Sequence, residues 1–435
     1  MNERNINRRT FIKTAIGGGL LLAGGNIFSG CGKNSDVNVN SKKIIDLEVN
    51  NLRQLITGNA NETRCIMWQS DDILMNPAIE IKDINSTDIN TFAALDCSFT
   101  DDDHINNQYS AKVAGLHANK DYQYRIIDGD HCSEWHNLKT TDGKYFKVLI
   151  FPDSQCADYE VWGKVAKSSF ARNENAAFFI NVGDIVDNGE DWTQWRSWFE
   201  GADTFLDKIP FAPVMGNHEC YNRKWQTRLP EAYLKYFEVP SNGSEKFERR
   251  YYSFDFGDVH FAILDSQWDE LNAVDSGAGD VLIKEQQEWL KRDMTNTSKK
   301  WKIVFIHKDV LQYRINGRPE RSEGFSDIGT SFMPLFDELN VDIVFTAHLH
   351  TYRDRGHIYN FEHNPKGTLY ILTGLAGDVR YPGLWVDHAL DIAKAPQPET
   401  DNYLTLEVAD DTIEVKCFLL DGNEIDHVII KHGVK

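Results

Sequence analysis

Ala176-Ala-Phe-Phe-Ile-Asn-Val-Gly-Asp-Ile-Val-Asp187 opens on an apolar run and ends on two carboxylates three positions apart. A compact run without polar alternation is what a strand buried on both faces requires, and the carboxylates then fall where that strand leaves its sheet. Four further runs repeat the arrangement. Phe146-Lys-Val-Leu-Ile-Phe151 leads to Asp153-Ser-Gln155, and Phe211-Ala-Pro-Val-Met215 leads to Gly216-Asn217-His218-Glu219. Trp301-Lys-Ile-Val-Phe-Ile306 leads to His307, and Val341-Asp-Ile-Val-Phe-Thr346 leads to His348-Leu-His350. Helix-like stretches lie between several of these runs, such as 284–296 with Leu290 and Met294 one turn apart. The alternation predicts an α/β domain over 145–435. In such folds the loops at the carboxyl ends of strands converge on one crevice. A hairpin is expected over 251–265, turning at Gly257-Asp258, and late strands at 403–408, 412–419 and 426–430.

Upstream the pattern is different. From 44 to 141 come short alternating runs broken by turn residues, such as Arg64-Cys-Ile-Met-Trp-Gln69 and Tyr122-Gln-Tyr-Arg-Ile-Ile127 before Asp128-Gly129-Asp130. These predict a small all-β sandwich. No residue cluster there suggests chemistry, and His104, His117, His131 and His136 read as solvated. Residues 31–43 lack periodicity and read as a tether. Residues 1–30 hold Asn7-Arg8-Arg9-Thr10-Phe11-Ile12-Lys13 and then an uncharged, glycine-rich stretch to Phe28-Ser29-Gly30-Cys31. This resembles a twin-arginine export signal ending in a lipoprotein processing site, with Cys31 as the lipidated residue. The stretch is too short and glycine-rich for a permanent span, which needs about 20 strongly apolar residues. A periplasmic or cell-surface protein held to the membrane by an N-terminal lipid is the expectation.

Composition narrows the classes. With 435 residues, 41% apolar and 26% charged, the chain has ample material for a buried core and no disordered or multi-span signature. A net charge of −20 argues against a binder of duplex nucleic acid, which needs a basic face. Seven cysteines without a CxxC pair exclude a disulfide scaffold or zinc ribbon. The absence of a GxSxG elbow argues against a serine-nucleophile esterase.

The ordered set of strand-end residues resembles the calcineurin-like metallophosphoesterase superfamily. Pro213-Val-Met-Gly-Asn-His-Glu219, Ala347-His-Leu-His-Thr-Tyr352 and the preceding β domain, itself fibronectin-type-III-like, point to the purple-acid-phosphatase branch. The resemblance implies a double β-sandwich flanked by helices and two metal ions, divalent or trivalent, of Mn, Fe or Zn. It places Asp153 and His350 on the first metal, Asp184 between both, and Asn217, His307 and His348 on the second. Gln155 stands where the superfamily usually has His, and its carbonyl oxygen can serve as a ligand. The implied reaction is hydrolysis of a small-molecule phosphate ester, chiefly a monoester, by a metal-bridging hydroxide, with His218 assisting the leaving group. A phosphodiesterase acting on nucleotides or phospholipids is the alternative, and a surface-anchored binding protein with a vestigial site is the non-enzymatic one. Two divalent cations would outweigh the carboxylates of Asp153 and Asp184 and leave positive charge for a phosphate dianion.

Departures and neighbours complete the reading. Asp187 stands where purple enzymes carry a metal-binding Tyr, so no purple colour is expected. Glu219 and Asp187 read as loop-fixing groups. Trp192, Trp195 and Phe199 share a helical face and read as core, and His260 reads as structural. Cys156 and Cys220 each follow a ligand motif, as a disulfide or as two free buried thiols. Arg314, Arg318 and Arg321 read as a solvated loop rather than a phosphate clamp. Natural substrate, metal identity and oligomeric state carry no readable code.

Overall fold

The computed structural model describes residues 43–396 and 399–433. The expected signal, Cys31 and all but the last residue of the tether lie outside the described residues. Within them, no helix is long and apolar enough to cross a membrane.

The apolar runs form strands in two large sheets. Phe146–Phe151, Phe178–Asn181 and Phe211–Pro213 pair in parallel at the centre of a ten-stranded sheet. The late strands Asn402–Ala409, Thr412–Leu419 and Glu424–Lys431 extend it antiparallel beyond Phe146–Phe151. The second sheet has eight strands, centred on Val259–Leu264, Trp301–Ile306, Ile343–Thr346 and Thr368–Thr373. The hairpin turning at Gly257-Asp258 supplies its edge, Tyr252–Phe256.

Side-chain alternation explains the layers, because successive residues of a strand point to opposite faces. Phe178 and Ile180 from the first sheet pack with Ile303, Phe305, Ile343 and Phe345 from the second in one core. Val304, Ile306 and Val344 face the other way, onto Leu282, Leu290 and Met294 of the helix Ala278–Asn296 and onto Phe332 and Phe336 of Asp327–Leu339. On the far face of the first sheet lie Trp162 and Val165 of Tyr159–Arg172 and Trp195 and Trp198 of Trp192–Gly201. The result is a double β-sandwich flanked by helices. The side chains of Asp158, Asp191 and Ser326 accept backbone N–H groups and so cap Tyr159–Arg172, Trp192–Gly201 and Asp327–Leu339.

The N-terminal sandwich is present as two facing sheets. Pro77–Asp83 and Asp121–Asp128 lie in one, and Thr63–Gln69 and Gln108–Ala114 in the other. Ile66, Trp68, Tyr109 and Val113 meet Ile79, Ile81, Tyr124 and Ile126 in the core between them. The second of these sheets is a continuation of the ten-stranded one. Asn50–Leu55 pairs with Phe211–Pro213 through Leu55 and Phe211, so hydrogen bonding crosses the expected boundary at 141–145.

Two expectations need correction. His104 is stacked on Trp192, with centroids 4.0 Å apart and planes within 7°, and His136 hydrogen-bonds Asp207 at 2.9 Å. Neither is a freely solvated group. Trp195 and Phe199 are buried, but Trp192 sits at the rim, because the helix face turns from the core toward the N-terminal sandwich there.

Candidate metal centre

Each central strand delivers its polar residues to the same place. Asp153, Gln155, Asp184 and His307 are fully buried at the ends of their strands, and His350 nearly so. Two groups of potential ligand atoms lie within 4.8 Å of one another: Asp184, His307 and His348, and Asp153, Asp184 and His350. Asp184 belongs to both. His307 Nε2 lies 3.0 Å from Asp184 Oδ2, and His350 Nε2 lies 3.5 Å from Asp153 Oδ1. Asn217 Oδ1 is 3.3 Å from His307 Nε2, which places it with the first group. Six of the seven residues expected to hold metal thus meet here, and the seventh, Gln155, adjoins them through His218, its Nε2 being 3.3 Å from His218 Nε2.

The backbone is bent to achieve this. Asp184 (φ 47°), His348 (φ 76°) and His350 (φ 53°) all occupy the left-handed region. Residues with a Cβ adopt that region at a cost, and such strain clusters at functional sites. Gly216 permits the closest approach, since a Cβ there would stand 2.1 Å from Asp184 Oδ1.

Secondary contacts aim the ligands. His307 Nδ1 donates to Val182 O (2.8 Å) and His350 Nδ1 to Val379 O (2.5 Å), so each presents Nε2 to the cluster. An imidazole whose other nitrogen is engaged by a carbonyl is the arrangement that metal-binding histidines use. His348 Nδ1 and Gln155 Oε1 are buried with no hydrogen-bond partner. Buried polar atoms without partners are costly, and a cation satisfies both. The donor set therefore fits a pair of metal ions.

Glu219 and Asp187 fix loops. The Glu219 carboxylate accepts backbone N–H groups from Asp184 (3.1 Å), Ile185 (2.8 Å), Val186 (3.3 Å) and Gly216 (2.7 Å), tying two ligand loops together. The Asp187 carbonyl accepts from His218 Nδ1 at 2.7 Å and turns Nε2 toward Gln155 and Asp184.

Burial and the neighbouring charges shift the carboxyls and imidazoles of the cluster in different directions. Burial favours the neutral acid at Asp184, yet His307, His218 and His348 overcome it and hold its carboxyl well below the usual range. Burial raises Asp153, and burial with the nearby Asp184 charge raises Glu219 to about 7. Burial and the neighbouring His307 push His348 well down. Clustered perturbations of this kind mark functional sites.

The remaining candidates are placed elsewhere. Arg314 is exposed and faces Glu323 at 3.8 Å, and Arg321 lies over the Trp385 ring. The six described cysteines, Cys156 and Cys220 among them, are free. His260 bridges Asp255 (2.8 Å) and Asp293 (2.7 Å), away from the cluster. Sequence reasoning passed over Trp225 and Tyr221, whose rings each stand 5.6 Å from that of His218. Their position six and two residues beyond the Gly216-Asn217-His218-Glu219 motif was the only signal available.

Known proteins agree with this geometry. The family described as calcineurin-like phosphoesterase matches residues 130–352, which include all seven expected ligands and His218. Purple acid phosphatase 15 of Arabidopsis thaliana is 29% identical over 213 residues, 48% of this chain and 36% of that protein. Purple acid phosphatase 13 of the same plant is 25% identical over 346 residues, 75% of this chain and 60% of that one. The chain thus spans less than two thirds of the length of these curated relatives. The purple acid phosphatase PPD1 from yellow lupin (Lupinus luteus) seeds shares the fold, with a TM-score of 0.73 at 16% identity over 88% of this chain and 74% of that chain. With the family match extending over more than half of its length, the chain belongs to the calcineurin-like phosphoesterases.

Proposed function

We propose that this chain is an exported, lipid-tethered hydrolase of phosphate esters, monoesters above diesters, working through a dinuclear metal centre. One observation carries the reading: Asp184 is common to two buried Asp/His groups at the ends of neighbouring strands. Asp153, Gln155 and His350 would hold one ion, Asn217, His307 and His348 the other, and Asp184 both. Such a pair supplies a nucleophile at neutral pH and charge against the phosphoryl oxygens. Mn, Fe and Zn all suit nitrogen and oxygen donors, and availability decides among them.

The chain's own groups do the rest. The Asp187 carbonyl accepts from His218 Nδ1, so Nε2 is the nitrogen turned to the cluster, and in the imidazolium form it would pass its proton to the leaving oxygen. Gln155, within reach of that Nε2, keeps the ring aimed across the cluster. Glu219 keeps the Asp184 loop and the Gly216 turn in register. The preference for monoesters and the fibronectin-type-III-like character of residues 44–141 rest on resemblance to the purple-acid-phosphatase branch. Export and the lipid on Cys31 rest on the Arg8-Arg9 and Cys31 motifs.

The test is metal analysis of the purified protein followed by turnover of phosphomonoesters, nucleotides, phosphodiesters and phospholipids, with each metal or with chelator. About two metal equivalents and chelator-sensitive turnover are expected, with Asp184→Asn and His307→Ala each losing about a hundredfold or more. Full turnover in either variant would overturn the proposal. Protein that takes up no metal and turns over no ester would instead be the surface-anchored binder.

A further inference from the structure

Trp225 is exposed at 56%, although a large aromatic side chain gains most from burial. Its backbone is in the left-handed region at φ 61°, which a residue with a Cβ avoids unless its surroundings impose it. Here they do. Asn222 Oδ1 accepts N–H groups from Lys224 and Gln226, both at 2.9 Å, and the Trp225 N–H donates to the Asn222 carbonyl at 2.9 Å. Two ion pairs then fasten this loop to the N-terminal sandwich. Arg223 Nη1 meets Asp102 at 2.9 Å, and Arg228 grips both oxygens of Asp101 at 2.8 Å. All this holds an indole in water, perpendicular to the His218 ring at 5.6 Å, with Tyr221 6.2 Å from it.

We propose that Trp225, backed by Tyr221, is a stacking wall for the leaving group, and that the site prefers phosphate esters whose alcohol carries a flat aromatic or heteroaromatic ring. The inference rests on the site reading above. The indole centroid is 5.6 Å from that of the imidazole that would face the ester oxygen, so a ring attached to that oxygen, or one sugar away, is within stacking range. Base–aromatic stacking is tolerant of ring identity, which fits a wall formed by an exposed indole. Arg223, Arg228, Asp101 and Asp102 are positioning residues, and through them the N-terminal sandwich shapes substrate choice.

The experiment compares kcat/KM of the metal-loaded protein for phenyl phosphate and adenosine 5′-monophosphate against glycerol 2-phosphate and ribose 5-phosphate. Trp225→Ala should lower the aromatic-to-aliphatic ratio about tenfold, mainly through KM. Trp225→Phe should restore most of it. Arg223→Ala should move the ratio in the same direction and Arg223→Lys should return it. The phenyl and adenosine arms tell a directly attached ring from one a sugar away. Calorimetric binding of phenylphosphonate against methylphosphonate reads the wall without turnover. Trp225-dependent discrimination between these, in a protein that hydrolyses nothing, would sink the hydrolase reading and keep the wall. Hydrolysis with ratios unmoved in Trp225→Ala, or unrestored by Phe, would overturn the wall and keep the hydrolase.

Discussion

Replacing Gly216 with alanine perturbs the site at its tightest point. The added Cβ would stand 2.1 Å from Asp184 Oδ1 and 2.2 Å from Asp184 N, where contacts below 3.0 Å essentially never occur. Relief therefore requires about 1 Å of movement by Asp184 or by residue 216. Asp184 has little freedom to give it. Its backbone is already left-handed, its N–H is tied to Glu219, and its Oδ1 accepts the His218 N–H at 2.9 Å. Overpacking of this kind typically costs about 1–3 kcal/mol of stability. The functional cost is larger, because a 1 Å misplacement of a reacting group is worth about a hundredfold in rate. Gly216→Ala should melt only a few degrees lower, lose about a hundredfold in kcat/KM on an aryl phosphate, and hold fewer than two metal equivalents after dialysis. Gly58→Ala, where an added Cβ meets nothing within 4 Å, is the control. A Gly216→Ala protein with two bound metals and kcat/KM within threefold of wild type would refute the claim that this close approach sets the shared ligand.

Two further outcomes are expected. Burial opposes charge on His260, but hydrogen bonds and attraction from Asp255 and Asp293 raise it to about 9. Because the folded value lies above the unfolded value of about 6.5, the stabilisation is complete below pH 6.5 and lost as pH rises through 9. It amounts to about 3 kcal/mol at most, so calorimetry should show His260→Gln well below wild type at pH 6 and nearly level with it at pH 10. A gap independent of pH would show that the two ion pairs contribute nothing. The iron-loaded protein should show no tyrosinate-to-iron absorption, since Asp187 faces His218 at 3.4 Å where purple enzymes place a tyrosine. A purple preparation would mean that another phenol, such as Tyr381 beside His350, reaches the iron.

Much of this architecture was legible because strand ends carry both a hydrophobic and a chemical signature. The runs at 146–151 and 301–306 coincide with the observed strands, while those at 176–181, 211–215 and 341–346 each extend two residues beyond theirs. In those, Ala176, Val214 and Val341 are buried without being paired in the sheet. Glu219 was readable as a loop-fixing residue, since an acid directly following ligand residues has backbone N–H groups within reach. Partner identity was not readable. Periodicity gives the face of a strand and not its neighbour, so the pairing of Leu55 with Phe211 was invisible. The same holds for His104, whose cover is Trp192 from a distant helix. Trp225 escaped notice because its conformation is imposed by Asn222, Arg223 and Arg228, and nothing in a lone Trp within a polar loop announces a left-handed backbone.

The single rung between Leu55 and Phe211 matters beyond architecture. Cutting the chain near residue 141 to obtain the carboxy-terminal part alone would strip the Phe211–Pro213 segment of one of its two neighbours, leaving only Phe178–Asn181 beside it. Its peptide groups would then be unclothed along a flat apolar margin, an invitation to another molecule of the same kind. A truncated product would be expected to clump rather than simply work less well, so the amino-terminal sandwich serves as the cover of that margin.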